Sequence, residues 1–184
     1  PMKPDNLREA IVRPLELTAY RLESHAMVED MVASLAGTPG ALPLLQFAAA
    51  SLWEVRDTAR RLLTEAAYQQ MGGALGALGS HADRTLSLLS PPRQQLAKRV
   101  LQLLVSGEGT RVATTYDELV ARFEATGELA AVIEHLVAGR LLVIQKGEAT
   151  YVELAHEYLA QGWPTLRKWR EESREDSAYL RQLA

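Results

Sequence analysis

The stretch that decides the fold of the second half of the chain is LLVIQKGEATYVELAHEYL, residues 141–159. Its two apolar, β-prone runs, 141–144 and 150–154, flank Lys146-Gly147-Glu148, and this pattern predicts a β-hairpin. The pattern then becomes helical at His156-Glu157. A histidine at a strand-to-helix junction lies at a helix N-terminus, where backbone N–H groups and the helix dipole favour an anion such as phosphate. A capping contact or a packed imidazole is the alternative interpretation of His156.

Three helical patterns precede this hairpin. They cover residues 96–104, 116–123 and 129–137, and the apolar stripe of the third ends at Gly139, a typical helix C-cap. Three helices followed by a hairpin is the order of a winged helix.

The first half of the chain is predicted to be all helical. A first helix is expected to end at Arg13, because Pro14 has no backbone N–H to continue it. Apolar residues then recur at i, i+3, i+4 and i+7 over 28–35, and Gly37-Thr38-Pro39-Gly40 stops that helix. The next helix carries Pro43 in its first turn, where a missing N–H costs little.

These patterns predict a mainly α fold with two domains. A helical bundle domain at 15–90 is followed, after Pro91-Pro92, by a winged-helix domain at 91–170 with one small β-hairpin. Residues 171–184 are dense in charge of both signs, which predicts a charged C-terminal helix or a linker.

Composition excludes several classes of protein. Apolar residues make up 47% of the 184 residues, which indicates a globular chain rather than a disordered one. No apolar run approaches the roughly 18 residues that a membrane-spanning helix needs. The absence of cysteine excludes disulfides and thiolate chemistry. A net charge of −3 provides no general attraction to nucleic acid or anionic lipid.

The chain also lacks the motifs of a catalytic centre. Gly107-Glu108-Gly109-Thr110 has neither the spacing nor the lysine of the phosphate-binding P-loop, G-x-x-x-x-G-K-[ST], and no G-x-S-x-G occurs. His156-Glu157 lacks the second histidine of H-E-x-x-H, and His81-Ala82-Asp83 is more typical of an exposed polar segment than of a metal site. We therefore expect no metal and no catalytic residue, and we do not expect this chain to be an enzyme by itself.

A winged helix suggests DNA binding as a function. Such binding depends on the third helix of the fold. Here that helix, residues 127–138, contains two glutamates and neither Lys nor Arg. Because phosphate neutralisation supplies most of the affinity for DNA, an acidic recognition helix argues against DNA binding.

The order and spacing of the motifs resemble the STAND class of signalling NTPases, and most closely the bacterial novel STAND proteins that are often joined to WD-type repeats. The resemblance covers nearly the whole chain. The stretches that carry it are Leu7-Arg8-Glu9-Ala10-Ile11 with Pro14, Gly37 to Leu45, Leu44-Leu45-Gln46 with Leu52-Trp53-Glu54, Leu63-Thr64 with Tyr68 and Gly72-Gly73, Arg140-Leu141-Leu142-Val143, Leu154-Ala155-His156-Glu157, and Trp163-Pro164-Thr165-Leu166.

The resemblance implies two nucleotide-contact residues, Pro43 and His156. In this class an upstream P-loop domain binds ATP or ADP, and the helical and winged-helix domains fold over the nucleotide. The proline of the G-x-P motif, which lies against the nucleotide, corresponds to Pro43. The histidine of the M-H-D motif, which contacts the β-phosphate of ADP, corresponds to His156. Ala155 and Glu157 replace the Met and Asp of that motif, so the resemblance does not extend to a role for Glu157.

The resemblance further implies a cytoplasmic regulatory module whose residues 1–14 are the end of an upstream NTPase domain or a linker from it. ADP or ATP is expected to bind only together with that domain and not to the isolated chain. The expected partners are the upstream domain, a second copy in the active state, and a downstream repeat or sensor domain, with neither nucleic acid nor membrane. Nucleotide exchange would shift a closed, inactive arrangement towards an open one that oligomerises. The alternatives are a winged-helix transcription regulator that binds DNA and a helical protein-interaction adaptor.

Overall fold

The computed structural model describes residues 3–38, 40–123 and 126–182, without the side chains of Thr126 and of 175–182. The described chain contains ten helices and five short strands, which confirms the predicted mainly α class. It divides into two compact units, residues 1–80 and 81–184. The division falls within one helix, whereas the sequence-based domain limits at 14, 90 and 170 stay predictions.

The first unit consists of helices joined by one minimal pair of strands. Its elements are α1 Pro4–Glu16, β1 Arg21–Leu22, α2 His25–Leu35, α3 Ala41–Glu54, β2 Leu62–Leu63, α4 Glu65–Gln70 and the start of α5 Gly73–Ser87. Strands β1 and β2 pair in parallel, with Arg21 opposite Leu62 and Leu22 opposite Leu63. The helical patterns did not predict this pair.

The core of the first unit forms where the apolar stripes of its helices meet. The stripe predicted for α2 is confirmed, since each of its members is buried: Val28, Met31, Val32 and Leu35. Buried residues from the neighbouring elements are Leu7 and Ile11 of α1, Leu44, Leu45, Ala48 and Leu52 of α3, and Leu62, Leu63 and Tyr68. Helix α4 begins after Thr64, whose side chain caps the helix by accepting a hydrogen bond from the Ala67 N–H at 3.3 Å.

The predicted end of the first helix was wrong. Helix α1 continues to Glu16 and contains Pro14. Since Pro14 lies in the last turn, its missing N–H removes one helical hydrogen bond from a helix already held by the buried Leu7 and Ile11.

The second unit contains the rest of α5 and a small antiparallel sheet framed by helices. Its elements are α6 Pro91–Leu103, β3 Thr114–Thr115, α7 Tyr116–Phe123, α8 Thr126–Ala138, β4 Leu142–Lys146, β5 Thr150–Leu154, α9 Glu157–Gly162 and α10 Pro164–Gln182. The tail beyond residue 170 therefore continues α10 as far as Gln182.

The sheet has the strand order β3-β5-β4. Strands β4 and β5 form the predicted hairpin, in a register that runs from Leu142 opposite Leu154 to Lys146 opposite Thr150. Strand β3 pairs antiparallel with β5 on its other side and was not predicted. One face of the sheet contributes Leu142, Val152 and Leu154 to a core that also contains these buried residues of the helices: Val100, Leu101, Leu119, Leu129, Val132, Ile133, Leu136, Leu159, Trp163 and Leu166.

Among the described helices, none has the length and apolar content that crossing a membrane requires.

Candidate functional site

His156 lies at the junction between strand β5 and helix α9. Its backbone is extended, with φ −136° and ψ 132°, and its carbonyl accepts the Leu159 N–H at 3.1 Å, which makes it the N-cap residue of α9. The junction is fixed from the sheet side, because the Ala155 N–H donates to the Leu141 carbonyl at 2.9 Å. The half-buried imidazole makes no capping hydrogen bond to the helix.

A charged cluster of Arg111, Glu153 and Glu157 lies beside this junction. The Arg111 Nε is 3.2 Å from Glu157 Oε2, and its Nη1 is 3.5 Å from Glu153 Oε1. The Arg111 backbone N–H also donates to Glu157 Oε1 at 3.2 Å, and its Nη1 donates to the Leu154 carbonyl at 3.3 Å. The residue after the histidine therefore has a local partner of its own: Glu157 ties the start of α9 to the segment that carries Arg111.

The surroundings of His156 favour its neutral form. Burial lowers the pKa of the imidazole, and the positive charge of Arg111 lowers this pKa further. A neutral imidazole carries one N–H donor and one acceptor nitrogen, so His156 can still donate one hydrogen bond to an anion.

The loop before Arg111 is fastened by Arg170 of α10. The Arg170 Nη2 donates to the Ser106 carbonyl at 3.0 Å and to the Gly107 carbonyl at 3.3 Å, and its Nη1 donates to the Ala160 carbonyl at 3.4 Å. Gly109 has a positive φ of 89°, and a Cβ there would lie 3.3 Å from the Arg170 Nη1. The positive φ and the close approach of Arg170 together explain a glycine at this position. A phosphate-binding role is not needed to explain it.

Pro43 is the other residue proposed from the sequence, and it lies in the first unit. It is the third residue of α3, as expected, and its ring is exposed. The helix is preceded by Gly40 in the left-handed region with φ 75°. Pro43 and His156 belong to different compact units, so neither unit by itself contains both residues.

The first unit also has a mainly apolar cavity of about 320 Å³. Its lining comes mainly from helices α1 and α3 and includes Trp53 but not Pro43.

The residues described here form no group of three or more His, Cys, Asp or Glu side chains that could hold a metal ion. The side chains of His81 and Asp83 each form a hydrogen bond within the second unit. The His81 Nε2 is 2.7 Å from the Gly139 carbonyl, and Asp83 Oδ1 accepts the Trp163 Nε1–H at 2.8 Å.

A comparison with protein families shows the family to which the chain belongs. The family model of Novel STAND NTPase 1, nSTAND1, matches residues 1–184. The chain belongs to the nSTAND1 family. This confirms the STAND resemblance drawn from the sequence motifs. Comparisons with curated proteins and with solved structures gave no match for this nSTAND1 chain.

Sequence reasoning located the junction histidine of this nSTAND1 chain but missed the charges around it. Arg111 and Glu157 are separated by 46 positions, so no helical or strand periodicity connects them. The one available signal was an arginine directly after the Gly107-Glu108-Gly109-Thr110 loop.

Proposed function

We propose that this chain is the regulatory helical and winged-helix region of a STAND-type signalling ATPase. In this role it senses which nucleotide is bound and controls opening and oligomerisation of the parent protein. The observation that carries the proposal is the match of an NTPase family to all 184 residues of a chain that has no P-loop motif. The phosphate-binding loop, the Mg²⁺ ligands and the hydrolytic residues would then belong to an upstream domain.

The topology of the second unit supports a winged helix. Helix α6, strand β3, helices α7 and α8, and the hairpin β4–β5 follow one another, and the sheet has the order β3-β5-β4. This is a three-helix unit with a three-stranded antiparallel sheet whose last two strands form the wing.

The residues at the junction fit a phosphate group. The ring nitrogens of His156 make no hydrogen bond to another described residue. Neither nitrogen is among the buried polar atoms that lack a hydrogen-bond partner. Arg111 contributes one positive charge nearby, but Glu153 and Glu157 contribute two negative ones, so His156 rather than this cluster would supply the contact to the phosphate. In the proposed closed state, His156 donates a hydrogen bond to a phosphate oxygen of ADP, and Pro43 packs against the nucleotide. The signal that this chain senses is the identity of the bound nucleotide, ADP or ATP.

The third helix of the winged-helix unit is poorly suited to DNA. In α8, Glu128 forms an ion pair with Arg93 of α6, at 2.7 Å between Nε and Oε2, and Glu134 adds a second negative charge. The His135 Nε2 is 2.8 Å from the Thr85 carbonyl, so this side chain already has a partner inside the unit. These contacts favour a packing role for α8 over phosphate neutralisation.

Calorimetry with ADP and ATP tests the proposal. The measurement compares this chain with a protein extended upstream of Pro1 by about 200 residues, a domain-sized addition. We expect nucleotide binding by the extended protein and none by this chain. Failure of both proteins to bind, or Mg²⁺-dependent ATP hydrolysis by this chain alone, would contradict the proposal.

A further inference from the structure

The apolar cavity of the first unit has the size of a small-molecule site. Its volume is about 320 Å³. A cavity of roughly 150 Å³ with apolar walls admits benzene, so this one has room for an apolar body of about ten carbon atoms. None of the described residues that line it carries a charge. The lining therefore suits the hydrocarbon part of a ligand and not its polar part.

Small side chains on two helices leave this space unfilled. Ala10 of α1 and Ala49 and Ala50 of α3 are among the lining residues. Ala49 and Ala50 are also exposed, so the cavity is open to solvent beside them. Apolar surface in contact with water is favourable to cover, and a ligand can enter here without unfolding the unit.

A cation packs against one of the lining residues. The Arg56 Cζ is 4.4 Å from the centroid of the Trp53 ring and 5.7 Å from that of Tyr20. The two rings lie 4.8 Å apart, and the Arg56 Nη1 donates to the Trp53 carbonyl. These contacts hold the guanidinium beside Trp53, which itself lines the cavity.

The charge of Arg56 is not neutralised within the part of the chain that the structure describes. Arg60 of the same turn pairs with Glu23 at 3.4 Å, whereas Arg56 forms no ion pair with a described carboxylate. Its Nε is buried without a partner. Its Nη2 donates to no described residue and is not among the buried atoms that lack a partner, so an incoming group can reach it. A guanidinium with unused donors favours a carboxylate, which accepts strong charge-assisted hydrogen bonds.

We propose that the first unit binds a carboxylic acid with an apolar body of about ten carbon atoms. The body lies in the cavity, and the carboxylate accepts a hydrogen bond from the Arg56 Nη2. One ligand reaches both features because the cavity and the guanidinium share Trp53. The lining residues of α3 run from Leu45 to Trp53, about 12 Å along the helix axis, which suits an elongated body.

Size and charge distinguish this ligand from other occupants. A protein helix with its side chains is about 10 Å wide, too wide for a space of this volume. An apolar molecule without a head group would leave the Arg56 donors unused, and a cationic one would be repelled by the guanidinium. The site does not depend on the nucleotide role proposed above.

Calorimetry of the whole chain with decanoate tests the proposal. The comparison ligand is decylammonium, which has the same chain length and the opposite charge, and both are used below the concentrations at which they form micelles. We expect decanoate to bind and decylammonium to bind at least about tenfold more weakly, because only the carboxylate pairs with Arg56.

Two variants with matched controls test the two parts of the site. Arg56→Gln should weaken decanoate binding about tenfold, whereas Arg60→Gln, which removes a neighbouring positive charge, should leave it unchanged. Ala49→Leu fills part of the cavity and should weaken decanoate binding about tenfold or more. Ala66→Leu adds the same side chain at an exposed position of α4 outside the lining and should bind as the parent does.

Circular dichroism establishes that each variant is folded before it is compared. The comparison of the two ligands uses the parent chain, so it decides the charge requirement even where a variant does not fold. No binding of decanoate, or equal binding of decanoate and decylammonium, would overturn the proposal. Decanoate binding that folded Arg56→Gln or folded Ala49→Leu does not weaken would overturn it as well.

Discussion

Replacing Tyr68 with phenylalanine removes one oxygen atom from the interior of the first unit. The Tyr68 side chain is 1% exposed. Its hydroxyl donates to Asp30 Oδ2 at 2.6 Å and accepts the Ala74 N–H at 3.2 Å. The same hydroxyl thus ties α4 to α2 and satisfies a backbone N–H in the first turn of α5.

The expected cost follows from what the variant leaves behind. The Ala74 N–H is buried and would lose its acceptor, which costs about 1–3 kcal/mol. Asp30 is exposed and can exchange its lost donor for water, so it adds less. We therefore expect Tyr68→Phe to lower the free energy of unfolding by about 2 kcal/mol. With a urea m-value of about 2 kcal/mol/M, the unfolding midpoint falls by about 1 M.

Urea unfolding followed by circular dichroism measures this shift. The control is Tyr151→Phe, since Tyr151 is 42% exposed and should change stability by less than about 0.5 kcal/mol. The two variants also differ at high pH. Burial and the hydrogen bond to Asp30 raise the pKa of Tyr68, so the unfolded chain releases this proton first and the parent chain loses stability above about pH 10. Tyr68→Phe should lack that part of the loss. A Tyr68→Phe chain as stable as the Tyr151→Phe control would refute the reasoning.

Three further perturbations probe the second unit. Gly139→Ala should destabilise it by about 1–3 kcal/mol, because a Cβ there would lie 2.5 Å from Thr85 Cγ2, and Thr85→Ser should recover part of that loss in a double-mutant denaturation cycle. The pKa of His156 is lowered in the folded state, so its contribution to stability is present above about pH 6.5 and is lost as pH falls further. The slope of unfolding free energy against pH between 7 and 5 should therefore be shallower in His156→Gln, and an unchanged slope would contradict the assigned shift. Arg111→Met should raise the pKa of His156, measured by NMR titration of its ring protons, because the variant removes the nearby positive charge.

Features of this fold that depend on neighbouring residues could be predicted from the sequence. The stripe of α2 and the β4–β5 hairpin each arise within a few positions, so periodicity and turn composition revealed them. The position of His156 before α9 was also a local feature, because a strand pattern gives way to a helical one at that residue.

Features that depend on tertiary context could not be predicted from the sequence. The β1–β2 pair joins two-residue strands that are far apart in the chain, and β3 is equally short. Such strands have no period to detect. The ion pair of Arg111 with Glu157 depends on where the loop after α6 returns to the sheet, and Pro14 was tolerated because α1 has buried anchors.

The release of ADP from the extended protein tests the central claim most directly. Dissociation of a fluorescent ADP analogue would be timed for the parent protein, for His156→Ala, and for His25→Ala, whose side chain is 80% exposed. A lost hydrogen bond to a charged phosphate is worth about 1.5–3 kcal/mol, so His156→Ala should release ADP roughly 10- to 100-fold faster, with His25→Ala unchanged. Equal release rates for all three proteins would remove His156 from nucleotide sensing.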